Sequence, residues 1–238
     1  MIKQNYTQKF IPLVFIALTH NICGAISLVN TTVFTNTSAS HTYNVTEGNV
    51  LVIGGYNDGG GITPATITSG DFSSSVNLNY ATRNNLSYYY DTTPGTYTIS
   101  TFLAGQVLYV YELSGVDTSR AAISTSDVFA NPISLTTVDS GSFIIATAGS
   151  DTTATNFSLP SGSPLTDFQA TPSDTVTGGS AATAILQTTS PGTFDVSFDS
   201  DIAAFGGHAA FAFSPVPEPS GVILLSAGLL TFAMRRKR

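Results

Sequence analysis

The sequence predicts an all-β fold, an antiparallel β-sandwich of jelly-roll-like type, flanked by an N-terminal signal helix and a C-terminal transmembrane helix. Three observations carry this. Between residues 26 and 214 the chain is a succession of short runs rich in Val, Ile, Thr, Tyr and Phe, separated by Gly, Asn, Asp and Pro at intervals of about ten residues. Several runs alternate bulky and small polar residues with a period of two, the pattern of a strand with one buried face. No stretch of this region repeats apolar residues with a helical period.

Strands are expected at Asn49 to Ile53, Val76 to Tyr80, Leu86 to Tyr90, Thr96 to Phe102, Val107 to Leu113, Ile133 to Val138, Ser142 to Thr147, Ala182 to Gln187, Thr193 to Phe198 and His208 to Phe213. In Thr96-Tyr97-Thr98-Ile99-Ser100 the bulky residues share one face and the hydroxyls the other. Glycines 54 and 55, then 59 to 61, bracket a loop, and Ser173 to Ser180 reads as another connection.

One internal echo bears on topology. The Pro-Gly turn and alternating strand Thr93 to Ser100 recurs as Ser190 to Ser197, an offset of 97 positions, and each copy precedes an aromatic strand. Upstream, Gly48 to Gly55 has a looser counterpart in Gly141 to Ala148. Residues 26–214 are therefore expected to form one sandwich domain, with two similar halves at about 26–118 and 119–214 as the variant that the echo suggests. Convergent turn chemistry would produce the same echo.

The two ends are chemically distinct from this middle. Lys3 and Lys9 precede the apolar run Phe10 to Leu18, and Cys23-Gly24-Ala25 supplies small residues at a peptidase site, so residues 1–25 read as a secretory signal cut after Ala25. At the other end Pro217-Glu218-Pro219 leads through Ser220 into a charge-free run, Gly221 to Met234, and then Arg235-Arg236-Lys237-Arg238. The prolines hold the chain extended, Ser220 is a good N-cap, and the four cations form a stop that stays on one side of a bilayer. The apolar run reaches about 21 Å against a hydrocarbon core of about 30 Å, a gap that arginine snorkelling and local thinning narrow.

This tail resembles the PEP-CTERM sorting signal of bacteria with exosortase systems, Pro217, Glu218 and Pro219 matching its tripeptide. The resemblance implies export, transient anchoring in the inner membrane, recognition by an exosortase at residues 215–238, and delivery to the cell surface or the exopolysaccharide matrix. Expected partners are signal peptidase, the exosortase, the inner membrane and exopolysaccharide. The central region also resembles secreted bacterial β-sandwich segments through its strand near Asn49 to Ile53, its Pro-Gly-Thr-Tyr-Thr turn-strand, and its aromatic strand ending in Leu113-Ser114-Gly115-Val116. That likeness speaks to fold and not to mechanism.

Composition narrows the function classes. With the leader gone no cysteine remains, so the exported fold relies on core and hydrogen bonds without disulfides. From Ile26 to Ser220 two bases, Arg83 and Arg120, face all fifteen acids, a net charge of −13 that repels nucleic acid and anionic lipid. No lysine remains there for Schiff-base or Ser-Lys chemistry. His41 and His208 lie in no metal-ligand spacing, and Gly178-Gly179-Ser180 lacks the glycine and the strand-to-helix setting of a nucleophile elbow.

Three weaker candidates complete the reading. Glu47, Glu112 and the aspartates could supply the paired carboxylates of a polysaccharide hydrolase, although no pair is marked. Asp195, Asp199 and Asp201 offer oxygens of the kind that Ca²⁺ takes, outside any EF-hand register. Tyr88 and Tyr90 share one side of a strand and could stack on sugar rings as a carbohydrate-binding adhesin, or serve as core. The expectation is a structural surface or matrix protein without catalysis or cofactor, with the adhesin, assisted by calcium, as the alternative and the hydrolase third.

Overall fold

A computed structural model describes residues 24–36, 40–56, 65–79, 84–100, 106–127, 130–150, 156–171, 180–200 and 206–217. The flanking helices, Glu218, Pro219 and the basic block lie outside them. Among the described residues there are strands and no helix, so none is long and apolar enough to cross a membrane.

The first half runs through β1 (Ser27–Asn36), β2 (Ser40–Val45), β3 (Asn49–Tyr56), β4 (Thr66–Ser69), β5 (Ser74–Asn79), β6 (Asn84–Thr92), β7 (Gly95–Ser100) and β8 (Gln106–Ser114). A five-stranded sheet has the order β1-β8-β3-β6-β5, and a three-stranded sheet the order β2-β7-β4. The second half comprises β9 (Ile123–Asp127), β10 (Ile133–Thr137), β11 (Phe143–Ser150), β12 (Phe157–Ser158), β13 (Thr166–Thr171), β14 (Ser180–Gln187), β15 (Gly192–Val196), β16 (Asp199–Ser200) and β17 (Gly206–Phe213). Its five-stranded sheet reads β9-β17-β11-β14-β13, with β10-β15 and β12-β16 as separate pairs.

The two large sheets therefore use the same strands of each half: first, last, third, sixth and fifth. Pairing the first strand with the last and the third with the sixth, while the second joins the seventh in another layer, is jelly-roll connectivity. Among the described residues every strand pairing is antiparallel, for example Tyr97 opposite Tyr43 and Phe194 opposite Leu135. The sequence echo falls on β7 and β15, which hold equivalent places. Gly48 and Gly141 likewise precede the equivalent strands β3 and β11, with φ of +73° and +77°.

Three cores separate four layers. Between the large sheets lie Val50, Val52, Tyr88, Tyr109, Tyr111, Ile145, Phe211 and Phe213. Tyr109 and Tyr111 donate across this interface to Ala181 O (2.9 Å) and Thr183 Oγ1 (2.7 Å), so their hydroxyls are buried without losing a partner. On the outer face of the first large sheet, Leu51, Ile53, Tyr89 and Val110 pack on Tyr43, Tyr97 and Ile99 of the small sheet. On the outer face of the second, Ile144, Ala146, Ala184 and Ala210 pack on Ile133, Leu135, Val196 and Phe198.

This layering explains the two textures of the sequence. Outer strands bury one face and alternate, as β2 and β10 do residue by residue. Inner strands are covered on both faces, so β11 (Phe-Ile-Ile-Ala-Thr-Ala-Gly-Ser) is buried throughout and need not alternate. Where a helix of this apolarity would need about ten or more residues, these runs stop at eight or nine, and β-branched and aromatic residues recur in them.

Candidate functional site

The best-defined feature bearing on function is the corner where both chain ends leave the sandwich. After β17 ends at Phe213, Ser214 O accepts from Asp117 N (2.9 Å), Pro215 bridges Val116 antiparallel, and Val216 N donates to Gly115 O (3.0 Å). Val216 O in turn accepts from Gly24 N (3.0 Å). Pro215 suits the bridge position, having no N–H that would need a partner.

Glycine makes the close approach possible. Gly115 has φ +77°, and a Cβ there would stand 2.9 Å from Ala25 O. Ile26 is 2% exposed in the central core, and its carbonyl accepts from Gln187 Nε2 at 2.9 Å. Asn49 holds the connector, its Oδ1 accepting from Val116 N (2.8 Å) and its Nδ2 donating to Val116 O (3.4 Å). Three stretches of chain, 24–26, 115–117 and 214–216, thus form one seam.

Both tyrosines weighed for sugar stacking lie in the core. Tyr88 is 2% exposed, with ring centroids 4.8 Å from Phe211 and 5.5 Å from Phe213 in the central core. Tyr90 is equally enclosed; its hydroxyl donates to Arg120 O (2.9 Å), and burial pushes its pKa up. Neither ring presents a face to a sugar. Tyr89, on the opposite side of β6, is buried as well, because the sheet that carries β6 is covered twice.

The acidic candidates are placed as follows. Asp195 lies exposed on β15 and accepts from Ser134 Oγ at 2.7 Å across the pair with β10. Asp199 is exposed on β16, and Asp201 lies outside the described residues. Among the described residues no three metal-ligating side chains converge.

Glu112 is the carboxylate that the fold encloses. It is fully buried on β8, yet Oε1 accepts from Thr46 N (2.9 Å), Glu47 N (2.8 Å) and Gly48 N (3.2 Å), while Tyr43 OH and Thr46 Oγ1 each reach Oε2 at 3.3 Å. Burial alone pushes this carboxyl up. The N–H groups of Glu47, Gly48 and Thr46, with the Thr46 hydroxyl, outweigh it and hold the pKa below its ordinary value. Saturated by its own chain, Glu112 pins the β2–β3 turn and is spent as an acid or base.

His208, on β17 opposite Asp127 of β9, stacks on Phe198 with centroids 6.0 Å apart. Burial pushes its pKa down, against the pull of Asp127. Among the described residues neither ring nitrogen has a hydrogen-bond partner. The sequence offers Glu112 only as one carboxylate among fifteen and His208 only as a histidine outside any metal spacing; the enclosed role of Glu112 could be suspected only from a lone acid inside an otherwise apolar aromatic strand.

A family model described as the PEP-CTERM protein-sorting motif matches residues 215–238. The chain carries a PEP-CTERM sorting tail. That tail implies export, a membrane-anchored C-terminal signal and an exosortase as processing partner. The match begins at Pro215, the residue bridged to Val116, so the motif starts inside the folded seam. No curated protein and no solved structure matches the chain, and the likeness drawn for its central region gains no support there.

Proposed function

We propose that this is a non-catalytic structural protein of the cell surface or extracellular polysaccharide matrix, delivered there by its PEP-CTERM tail. The tail is the observation that carries the reading. The chain crosses the inner membrane unfolded and, once outside, folds its sandwich on apolar cores and hydrogen bonds. Signal peptidase removes the leader there, and the apolar run holds the protein until the exosortase acts at the Pro217-Glu218-Pro219 region.

Support for a passive role comes from how the chemistry-bearing side chains are used. The aromatic candidates Tyr88 and Tyr90 are core, Glu112 is saturated by backbone donors, and Asp195 is tied to Ser134. What faces outward is mostly hydroxyl and carboxylate, a hydrated surface compatible with a polysaccharide gel.

The test compares full-length protein in a host with and without its exosortase, alongside a Pro217→Ala, Glu218→Ala, Pro219→Ala variant. Fractionation and intact mass should show tail-free protein in the matrix fraction only when motif and exosortase are both present. The matrix form should release no reducing sugar from the polysaccharide and show no saturable affinity for its oligosaccharides. Either activity, at a level that survives purification, refutes the passive role.

A further inference from the structure

The geometry points to an interlock in which removal of the N-terminal leader unlocks the C-terminal sorting boundary. It rests on the sorting reading above and on leader cleavage after Ala25. In the uncut chain, Gly24 supplies the N–H that holds Val216 O at 3.0 Å, and the Ala25 carbonyl lies against Gly115 so closely that a Cβ there would approach it to 2.9 Å. Val216 is therefore bonded through both its N–H and its C=O, to Gly115 and to Gly24, one residue before Pro217. A peptidase needs its substrate extended and unpaired, and the chain leading into the motif is extended but paired.

Leader removal changes this corner in two ways. Water adds across the Ala25–Ile26 amide; the departing Ala25 keeps a carboxylate and Ile26 gains an ammonium. Gly24 leaves with the leader, so Val216 O loses its donor. The new ammonium belongs to a residue that is 2% exposed, and a charged terminus favours water over such a site. Both effects loosen residues 214–216 from the seam. The device orders the two processing events: leader first, tail second, so that a chain still held by its leader is not released at the other end.

Intact-mass analysis of the full chain in exosortase-bearing cells tests this, since each molecule reports both ends. An Ala25→Phe variant blocks a peptidase that requires a small residue there, and Ala25 is exposed, so the fold accommodates it. The species with leader present and tail removed should be absent in wild type and at least tenfold under-represented in Ala25→Phe. Adding Gly24→Pro, which deletes the N–H donor, should restore it.

Tail removal from Ala25→Phe at the wild-type rate, no restoration by Gly24→Pro, or a mature N-terminus at or before Gly24 overturns the interlock. Amide exchange at Val216 gives an arm independent of sorting: it should quicken at least tenfold in the full-length chain once the leader is cut, and equal protection also overturns the proposal. If Pro217→Ala, Glu218→Ala, Pro219→Ala leaves tail removal unchanged, the sorting reading fails, whatever the exchange arm reports.

Discussion

Replacing Glu112 by Gln should destabilise the protein by about 3 kcal/mol at neutral pH. A hydrogen bond to a charged group contributes about 1.5–3 kcal/mol and a neutral one about 0.5–1.5. A glutamine oxygen can still face the N–H groups of Thr46, Glu47 and Gly48, now at 2.9, 2.8 and 3.2 Å from the carboxylate, but each bond loses its charge assistance, about 1 kcal/mol apiece. Glu112→Ala is harsher, because it leaves three buried donors orphaned at about 1–3 kcal/mol each, comparable to the whole stability of a domain at about 5–15. Urea unfolding followed by tyrosine emission suits a chain with ten Tyr and no Trp. The pH dependence is the sharper readout. Because the folded carboxyl sits below its ordinary value near 4.5, its contribution is fully present above that pH and is lost as pH falls through the folded pKa. Wild type and Glu112→Gln should therefore converge in acid. A difference under about 0.5 kcal/mol at pH 7, or a gap that does not close on acidification, refutes the account.

Tyr88→Ala should cost about 3–5 kcal/mol, as loss of a large aromatic from a packed core does, and thermal unfolding of the exported protein measures it. Gly70→Ala should lower the melting temperature, since Gly70 has φ +133° and a Cβ there would fall 2.2 Å from the Tyr97 ring; normal stability would show that this turn is placed otherwise. His208 is held neutral by burial with its pKa pushed below 6.5, so stability should be fully present above that value and decline as pH falls through the folded pKa, because the unfolded chain binds the proton first. In His208→Phe that part of the acid-side decline should vanish. Arg120→Ala removes an exposed ion pair with Asp139 (2.6 Å) and should change stability by no more than about 1 kcal/mol.

What the sequence made legible follows the chemistry of each layer. Strands with strong apolar or alternating character, such as Val107 to Leu113 and Ser142 to Thr147, are found as β8 and β11, extended by a residue or more where small or polar residues continue the ladder. Edge strands were harder. β1 (Ser-Leu-Val-Asn-Thr-Thr-Val-Phe-Thr-Asn) buries little, carries a bulge between Leu28 and Asn30, and reads as polar coil because only one neighbour defines it. β9 and β13 are short or bulged edges for the same reason. The tyrosines of β6 were misleading on a different count. A strand with large residues on both sides implies two buried faces; a two-layer sandwich would leave one of them open, whereas the layers on either side of β6 cover both. The sorting motif, by contrast, was legible from the sequence alone, because the Pro217-Glu218-Pro219 tripeptide, a charge-free run and a basic block need no tertiary context.

The seam at the chain ends was not legible, yet topology makes it nearly obligatory. In each half the first strand pairs antiparallel with the last: Ser27 stands opposite Ser114, and Ile123 opposite Ala212. A half built this way begins and ends at the same end of its sheet. Two such halves in series bring the incoming chain, the connector and the outgoing chain to that end together, provided the large sheets stack in the same sense. They do: Tyr90 of β6 meets Phe213 of β17 near this end, while at the other Asn84 Nδ2 reaches Thr147 O (3.3 Å) and Gly207 O (3.0 Å). The strand ends at Tyr56, Asn84, Ser150 and Gly206 therefore lie away from the seam. Any pull on residue 216 from a tethered tail acts where Gly24 and Gly115 hold it, across hydrogen bonds that break one after another if the pull runs along the bonds, away from the neighbouring chain, and in concert if it runs along the short strand. A chain that keeps its leader and its tail is thus gripped at a single end of the sandwich, and the opposite end is left outside both attachments.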